Sequence, residues 1–170
     1  MKKLISIFLI VLTLSVLSIK KSNAQLNGTF VGAKVGFLLS QKFVFGLFGD
    51  FALTPNFGIE PGIDATAYSD NKDRTIIRLS MEANGRYSFP FQGKTFEGFA
   101  IAGPAYVIDR TTGETYGASS DKQFFRINLG GGITFNNRSE GQILTGVKVN
   151  FDIGQNGSDV QIFVGYRYFL

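Results

Sequence analysis

The chain closes with VQIFVGYRYFL, residues 160–170. Ile162, Val164, Tyr166, Tyr168 and Leu170 fall on one parity, and Gln161, Phe163, Gly165, Arg167 and Phe169 on the other. Successive strand residues point to opposite faces. One face of this strand is therefore wholly apolar or aromatic, and the other carries a single arginine. A buried strand of a soluble sheet has this pattern, and so does the closing stave of a barrel in lipid.

The same alternation recurs along the chain. Eight strands are expected at 28–38, 43–53, 57–68, 75–89, 95–109, 123–135, 142–153 and 160–170. Turn chemistry separates several of them: Thr54-Pro55-Asn56, Pro90-Phe91-Gln92-Gly93, Asn136-Asn137-Arg138 and Gly154-Gln155-Asn156-Gly157. At about 11 to 15 residues, these segments are twice the usual strand length of about 5 to 6. A tilted strand crossing a bilayer needs about 9 to 11.

The strand charges share one face. Lys34, Asp50, Glu60, Asp64, Arg78, Glu82, Arg86, Glu97, Arg126, Lys148, Asp152 and Arg167 all alternate with apolar residues. Strand four is the clearest case: Ile77, Leu79, Met81, Ala83 and Tyr87 oppose Arg78, Ser80, Glu82, Asn84 and Arg86. A soluble sandwich turns its apolar face to the core; an outer-membrane barrel turns it to lipid. Three features favour the second. Aromatics stand at strand ends on the apolar face (Phe37, Phe57, Tyr87, Phe89, Phe135, Tyr168). Glycines stand on the charged face (Gly32, Gly36, Gly46, Gly58, Gly62, Gly130, Gly132, Gly165), where a narrow lumen needs room beside long side chains. The strands are long and the chain carries an export signal.

That signal is residues 1–24: Lys2 and Lys3, an apolar run from Leu4 to Ile19, and Ser22-Asn23-Ala24, with cleavage expected after Ala24. The barrel domain is then 25–170. Of 17 Lys plus Arg, four (Lys2, Lys3, Lys20, Lys21) leave with the signal; the remaining 13 balance the 13 Asp plus Glu. The basic pI therefore gives no reason to expect nucleic acid.

The expected fold is all-β: an eight-stranded antiparallel up-and-down transmembrane β-barrel. The motifs GAKVG (32–36), GLFGDFALTPNFGIEP (46–61), AGP (102–104), INLGGGITF (127–135) and VGYRY (164–168) resemble the small outer-membrane β-barrel domain family common in Bacteroidetes. That family is porin-like in name and similar in plan to eight-stranded barrels of the OmpA/OmpX kind. The resemblance implies the outer membrane of a diderm bacterium, with lipid and the barrel-insertion machinery as partners, and a monomer.

The chain has no His and no Cys. That excludes Ser-His-Asp triads, Cys nucleophiles and zinc sites built on His or Cys. No catalytic residue, cofactor or metal site is expected. The carboxylate pairs Glu60/Asp64 and Glu82/Glu97 read as lumenal ion-pair partners of Lys34, Arg78, Arg86, Arg126, Lys148 and Arg167, since buried charges need partners. Lys34, Arg78, Arg126 and Arg167 are expected to share a network with Asp50, Glu60, Glu82 and Glu97. Asp70-Asn71-Lys72-Asp73 lacks EF-hand spacing. Gly130-Gly131-Gly132 is followed by no helix and no GK[ST].

The expected role is structural, adhesive or interactive, around a side-chain-filled polar lumen. The alternative is a secreted lipocalin-like barrel that binds an apolar ligand, with the two faces exchanged. Ile162, Val164, Tyr166 and Tyr168 form the expected lipid face of the closing strand, with Arg167 in the lumen. Val149→Arg is expected to be costly and Asn150→Arg milder. Turns 54–56, 90–94 and 136–141 are expected in the periplasm. Segments 39–42, 69–74, 110–122 and 154–159 are expected outside, with 110–122 as the candidate contact for an extracellular partner.

Overall fold

The computed structural model describes residues 28–40, 42–70, 74–91, 95–112, 120–136, 141–154 and 157–170. The signal segment 1–24 and the expected new terminus at Gln25 lie outside them. Eight strands follow in order: β1 (Phe30–Leu38), β2 (Lys42–Ala52), β3 (Phe57–Asp70), β4 (Arg74–Pro90), β5 (Phe96–Thr112), β6 (Ser120–Asn136), β7 (Gly141–Asp152) and β8 (Gly157–Phe169). Each pairs antiparallel with its neighbours, and β8 returns to β1, closing the barrel.

The register sets the barrel's shape. A sideways walk from Phe30 passes Asp50, Glu60, Asn84, Gly103, Asn128, Asn150 and Asp159, then reaches β1's extension at Ser40, ten residues beyond its start. A shear of ten on eight strands, with about 3.3 Å per residue and about 4.8 Å between strands, gives a tilt of roughly 40° and a radius of about 8 Å. Side chains fill a bore of that size. Closure also pairs every strand on both sides, which leaves no long edge in the hydrocarbon.

The central strands run longer than their alternation suggests. β4, β5 and β6 have 17 residues each. Arg110 pairs with Asp121 and Thr111 with Ser120, so the ends of segment 110–122 are strand. Polar strand tips do not show apolar alternation, because they stand beyond any buried or lipid-facing surface. Likewise β8 begins at Gly157, inside the segment 154–159 read as loop.

Local chemistry holds the described turns. At 54–56 the backbone amides of Leu53 and Thr54 both donate to the Phe57 carbonyl at 2.9 Å. Phe57 N–H in turn donates to Thr54 Oγ1 at 3.0 Å. After β7, Gly154 has φ +79°, a backbone that strains any other residue. Two prolines interrupt the ladder. Pairing between β2 and β3 skips Pro61, and pairing between β4 and β5 skips Pro104. Both stand beside Ala83 in register. Prolines in sheets usually sit on edges, and a closed barrel has no edge to offer.

Candidate functional site

The described residues present two extended surfaces, the lumen and the outer face. Inside, charged side chains lie in three tiers. The tier nearest the chain termini holds Arg86 and Arg167 around Asp50. Arg86 Nε is 3.3 Å from Asp50 Oδ2 and its Nη1 donates to Glu60 Oε2 at 3.1 Å. Its Nη2 donates to Thr134 Oγ1 at 3.0 Å, and its guanidinium lies 4.0 Å from the Phe99 ring centre. Arg167 pairs with Asp50, stands 3.7 Å from Glu97, and donates to Gln142 Oε1 at 2.6 Å.

The middle tier is a four-membered cluster. Lys148 Nζ lies 2.6 Å from Glu82 and 2.9 Å from Asp64. Lys34 Nζ lies 3.0 Å from Asp64 and 3.5 Å from Glu82. Two cations against two carboxylates leave the cluster formally neutral. Glu82 and Lys148 are each 1% exposed at the side chain. Asn84 donates to Glu82 at 3.2 Å and accepts from Asn128 at 3.3 Å, extending the cluster across the bore. The third tier lies toward the opposite end. Arg78 grips Asp109 through two bonds of 2.7 Å, and Arg126 Nε donates to Asp152 at 2.6 Å.

This grouping corrects the expected one. Arg78 and Arg126 do not join the acids at Asp50, Glu60, Glu82 and Glu97; they take Asp109 and Asp152, their cross-strand neighbours. Asp109 was absent from the expected network, although its parity in β5 marks it as inward. Each carboxylate of the two expected pairs faces a lumenal cation: Glu60 goes to Arg86, Asp64 and Glu82 to the lysines, and Glu97 to Arg167.

The lumen is also less polar than its charges suggest. Phe48, Phe99, Ile101, Leu144 and Phe163 form a buried apolar cluster. Each falls on the charged parity of its strand, which is the signal that places it inside. Glycines make room for these large groups. A Cβ on Gly132 would fall 2.8 Å from Phe99, and one on Gly146 would fall 2.9 Å from Phe163.

Outside, the apolar parity is exposed on every strand. Ile162, Val164, Tyr166 and Tyr168 are between 42% and 52% exposed, while Arg167 is 3% exposed. On β6 the exposed belt runs from Phe125 to Phe135. Ten residues at this tilt span about 25 Å, the height of an outer-membrane apolar band. Aromatic pairs stand at both limits: Phe37 with Phe43 and Tyr106 with Phe125 at one, Tyr87 with Phe89 and Phe96 with Phe135 at the other. The remainder of the candidate partner loop, 113–119, lies outside the described residues.

An all-antiparallel closed barrel of eight strands, charged within and apolar without, defines a transmembrane β-barrel fold. Solved structures agree. Neisserial surface protein A is 12% identical with a TM-score of 0.70, covering 85% of this chain and 98% of its own. The N-terminal β-barrel domain of Pseudomonas aeruginosa OprF is 14% identical with a TM-score of 0.64, covering 84% and 98%. Ail, the attachment invasion locus protein of Yersinia pestis, is 12% identical with a TM-score of 0.58, covering 84% and 97%. The chain is thus similar in fold to small eight-stranded outer-membrane barrels. No protein-family model and no curated protein matches it.

Proposed function

We propose that the chain is a monomeric integral outer-membrane barrel with a structural or adhesive role, acting as a rigid scaffold for its extracellular loops. The observation that carries this reading is the inversion of faces. Lys34, Asp64, Glu82, Arg86, Lys148 and Arg167 are buried, while apolar residues such as Phe43, Phe45, Leu47 and Phe125 are exposed by 60% or more. Water does not tolerate a closed apolar belt of this extent on a monomer, and lipid requires one. The same facing argues against the lipocalin-like alternative, whose bore would be apolar. The fold is neutral on catalysis, but a chain without His or Cys lacks the commonest general base and the thiol nucleophile. We read it as non-enzymatic.

Both chain ends leave the barrel at one end, where Phe30 pairs with Phe169. Export through the inner membrane would leave that end in the periplasm. Segment 113–119, joining β5 to β6, would then face outward and offer the contact for an extracellular partner. Binding residues concentrate on such loops. Membrane fractionation with a boiled-versus-unboiled gel tests the placement. Recovery that needs detergent, with a heat-shifted band, supports it; a soluble periplasmic protein refutes it. An epitope tag within 113–119 should react with antibody on intact cells, and one within 137–140 only after the envelope is opened.

A further inference from the structure

Between the middle charge cluster and the third tier, the lumen keeps a cavity of about 20 Å³. Room on that scale fits one water, or two at most. Its walls are polar and incompletely satisfied. Ser80 Oγ, both amide atoms of Asn150 and Gln161 Nε2 are buried without a hydrogen-bond partner among the described residues. All three residues border the cavity and are at most 3% exposed. Buried polar groups are nearly always paired, with protein or with ordered water, and the amide of Asn150 stands idle as both donor and acceptor.

The charges around the cavity narrow the choice of occupant. Asp64 on its floor already faces Lys34 and Lys148. The Arg78 and Arg126 guanidiniums in its roof are held by Asp109 and Asp152. No net charge is left over to hold a cation or an anion. The open groups are two amide donors, one amide acceptor and a hydroxyl that does both, with Asp64 Oδ1, 3.0 Å from Lys34 Nζ, as a further buried acceptor without a hydrogen bond. Exchanging the amide O and N of Asn150 leaves the tally the same. A neutral molecule of water's size that donates and accepts answers this set.

We propose that this chamber is a hydration site. One or two ordered waters accept from Asn150 Nδ2 and Gln161 Nε2, donate to Asn150 Oδ1 and bond to Ser80 Oγ. The waters exchange with solvent at the loop end, past the two Arg–Asp pairs. Side-chain exposure follows that route, rising from 1% at Glu82 and Lys148 to 14% at Asp152 and 16% at Arg78. In the other direction lie the charge cluster and the Phe48, Phe99 and Phe163 rings. The lumen is then a blind well, wet above and packed below.

The test uses the full mature chain, isotope-labelled and refolded in detergent micelles, with water itself as the probe. Water-selective cross-relaxation spectra should show direct contacts, with the sign of long-lived water, at the side-chain amides of Asn150 and Gln161. Missing contacts at both would overturn the proposal. Asn150→Leu fills the chamber and should abolish the Gln161 contact; if that variant does not fold, Ser80→Val serves the same end. A contact that survives in a folded filled variant counts against the site. Replacing sodium chloride with choline chloride, then with sodium gluconate, should leave the Asn150 and Gln161 shifts unmoved. A saturable shift would make the occupant an ion and refute water. Asp152→Asn loosens one roof pair and should speed solvent exchange of the Gln161 amide severalfold; an unchanged rate would overturn the exchange route.

Discussion

Lys148→Met is the sharpest test of the packed lumen. Methionine keeps the length of the lysine stem and removes its charge. In the wild type, Lys148 lies 2.6 Å from Glu82 and 2.9 Å from Asp64, and all three side chains are at most 6% exposed. The variant leaves two carboxylates facing Lys34 alone, at 3.0 and 3.5 Å. The cluster then carries a net negative charge, with at most the one or two waters of the neighbouring chamber beside Asp64 to offset it. Breaking a buried pair from one side typically costs about 3–5 kcal/mol. The upper part of that range is expected here, because one lysine serves two acids. The double variant Lys148→Met, Glu82→Met restores balance, with Lys34 against Asp64. It should recover at least half of the loss, since an apolar replacement of a whole pair is often neutral. The assay is reversible urea unfolding in lipid vesicles, followed by the heat-shifted band and by tyrosine fluorescence. A single-variant cost below about 1 kcal/mol, the scale of an exposed pair, would mean that bulk solvent surrounds the cluster and that the lumen is not packed as described.

Four further outcomes are expected. Leu129→Arg, at a site 55% exposed on the apolar belt, should cost about 2–4 kcal/mol in vesicles; tolerance equal to that of a loop substitution would undo the assigned facing. Gly132→Ala would place a Cβ 2.7 Å from the Gly146 backbone, and overpacking of this kind costs about 1–3 kcal/mol, seen as a lower urea midpoint; an unchanged midpoint would show that the strands can part. Pro104→Ala restores a donor to the interrupted β4–β5 ladder while losing proline's stiffening of the unfolded chain, so its net effect should stay within about 1 kcal/mol; a loss above twice that would mean the ring packs in a way the ladder does not reveal. Planar-bilayer recording should show no steady nanosiemens conductance, because three tiers of ion pairs and an apolar cluster cross the bore; a stable open pore would refute the filled lumen.

Asn150→Arg was expected to be the mild partner of Val149→Arg, because Asn150 falls on the polar parity. Asn150 is in fact 1% exposed beside a cavity of about 20 Å³, so a guanidinium there has no space. Polar parity marked the side of the sheet, not the room available on it.

That distinction runs through the molecule. Strand number, antiparallel order and the facing of the charges in the strand interiors were legible in the sequence, because a period of two is a local property that each strand states for itself. Arg167 and Tyr168 declare opposite faces without reference to any other strand. The glycines opposite Phe99, Phe163 and Lys34 were legible as a sign of crowding, but not as fits to particular side chains. Which acid meets which base was not legible. Partnership depends on hairpin register and on closure, and neither is a property of one strand. Register sets Asp109 beside Arg78 and Asp152 beside Arg126, while closure of β8 on β1 brings Lys148 from β7 across the bore to Asp64 and Glu82 on β3 and β4. The buried phenylalanines and the orphaned Asn150 amide belong to the same class of fact. Their neighbours come from strands far away in sequence, so only the closed barrel decides what they touch.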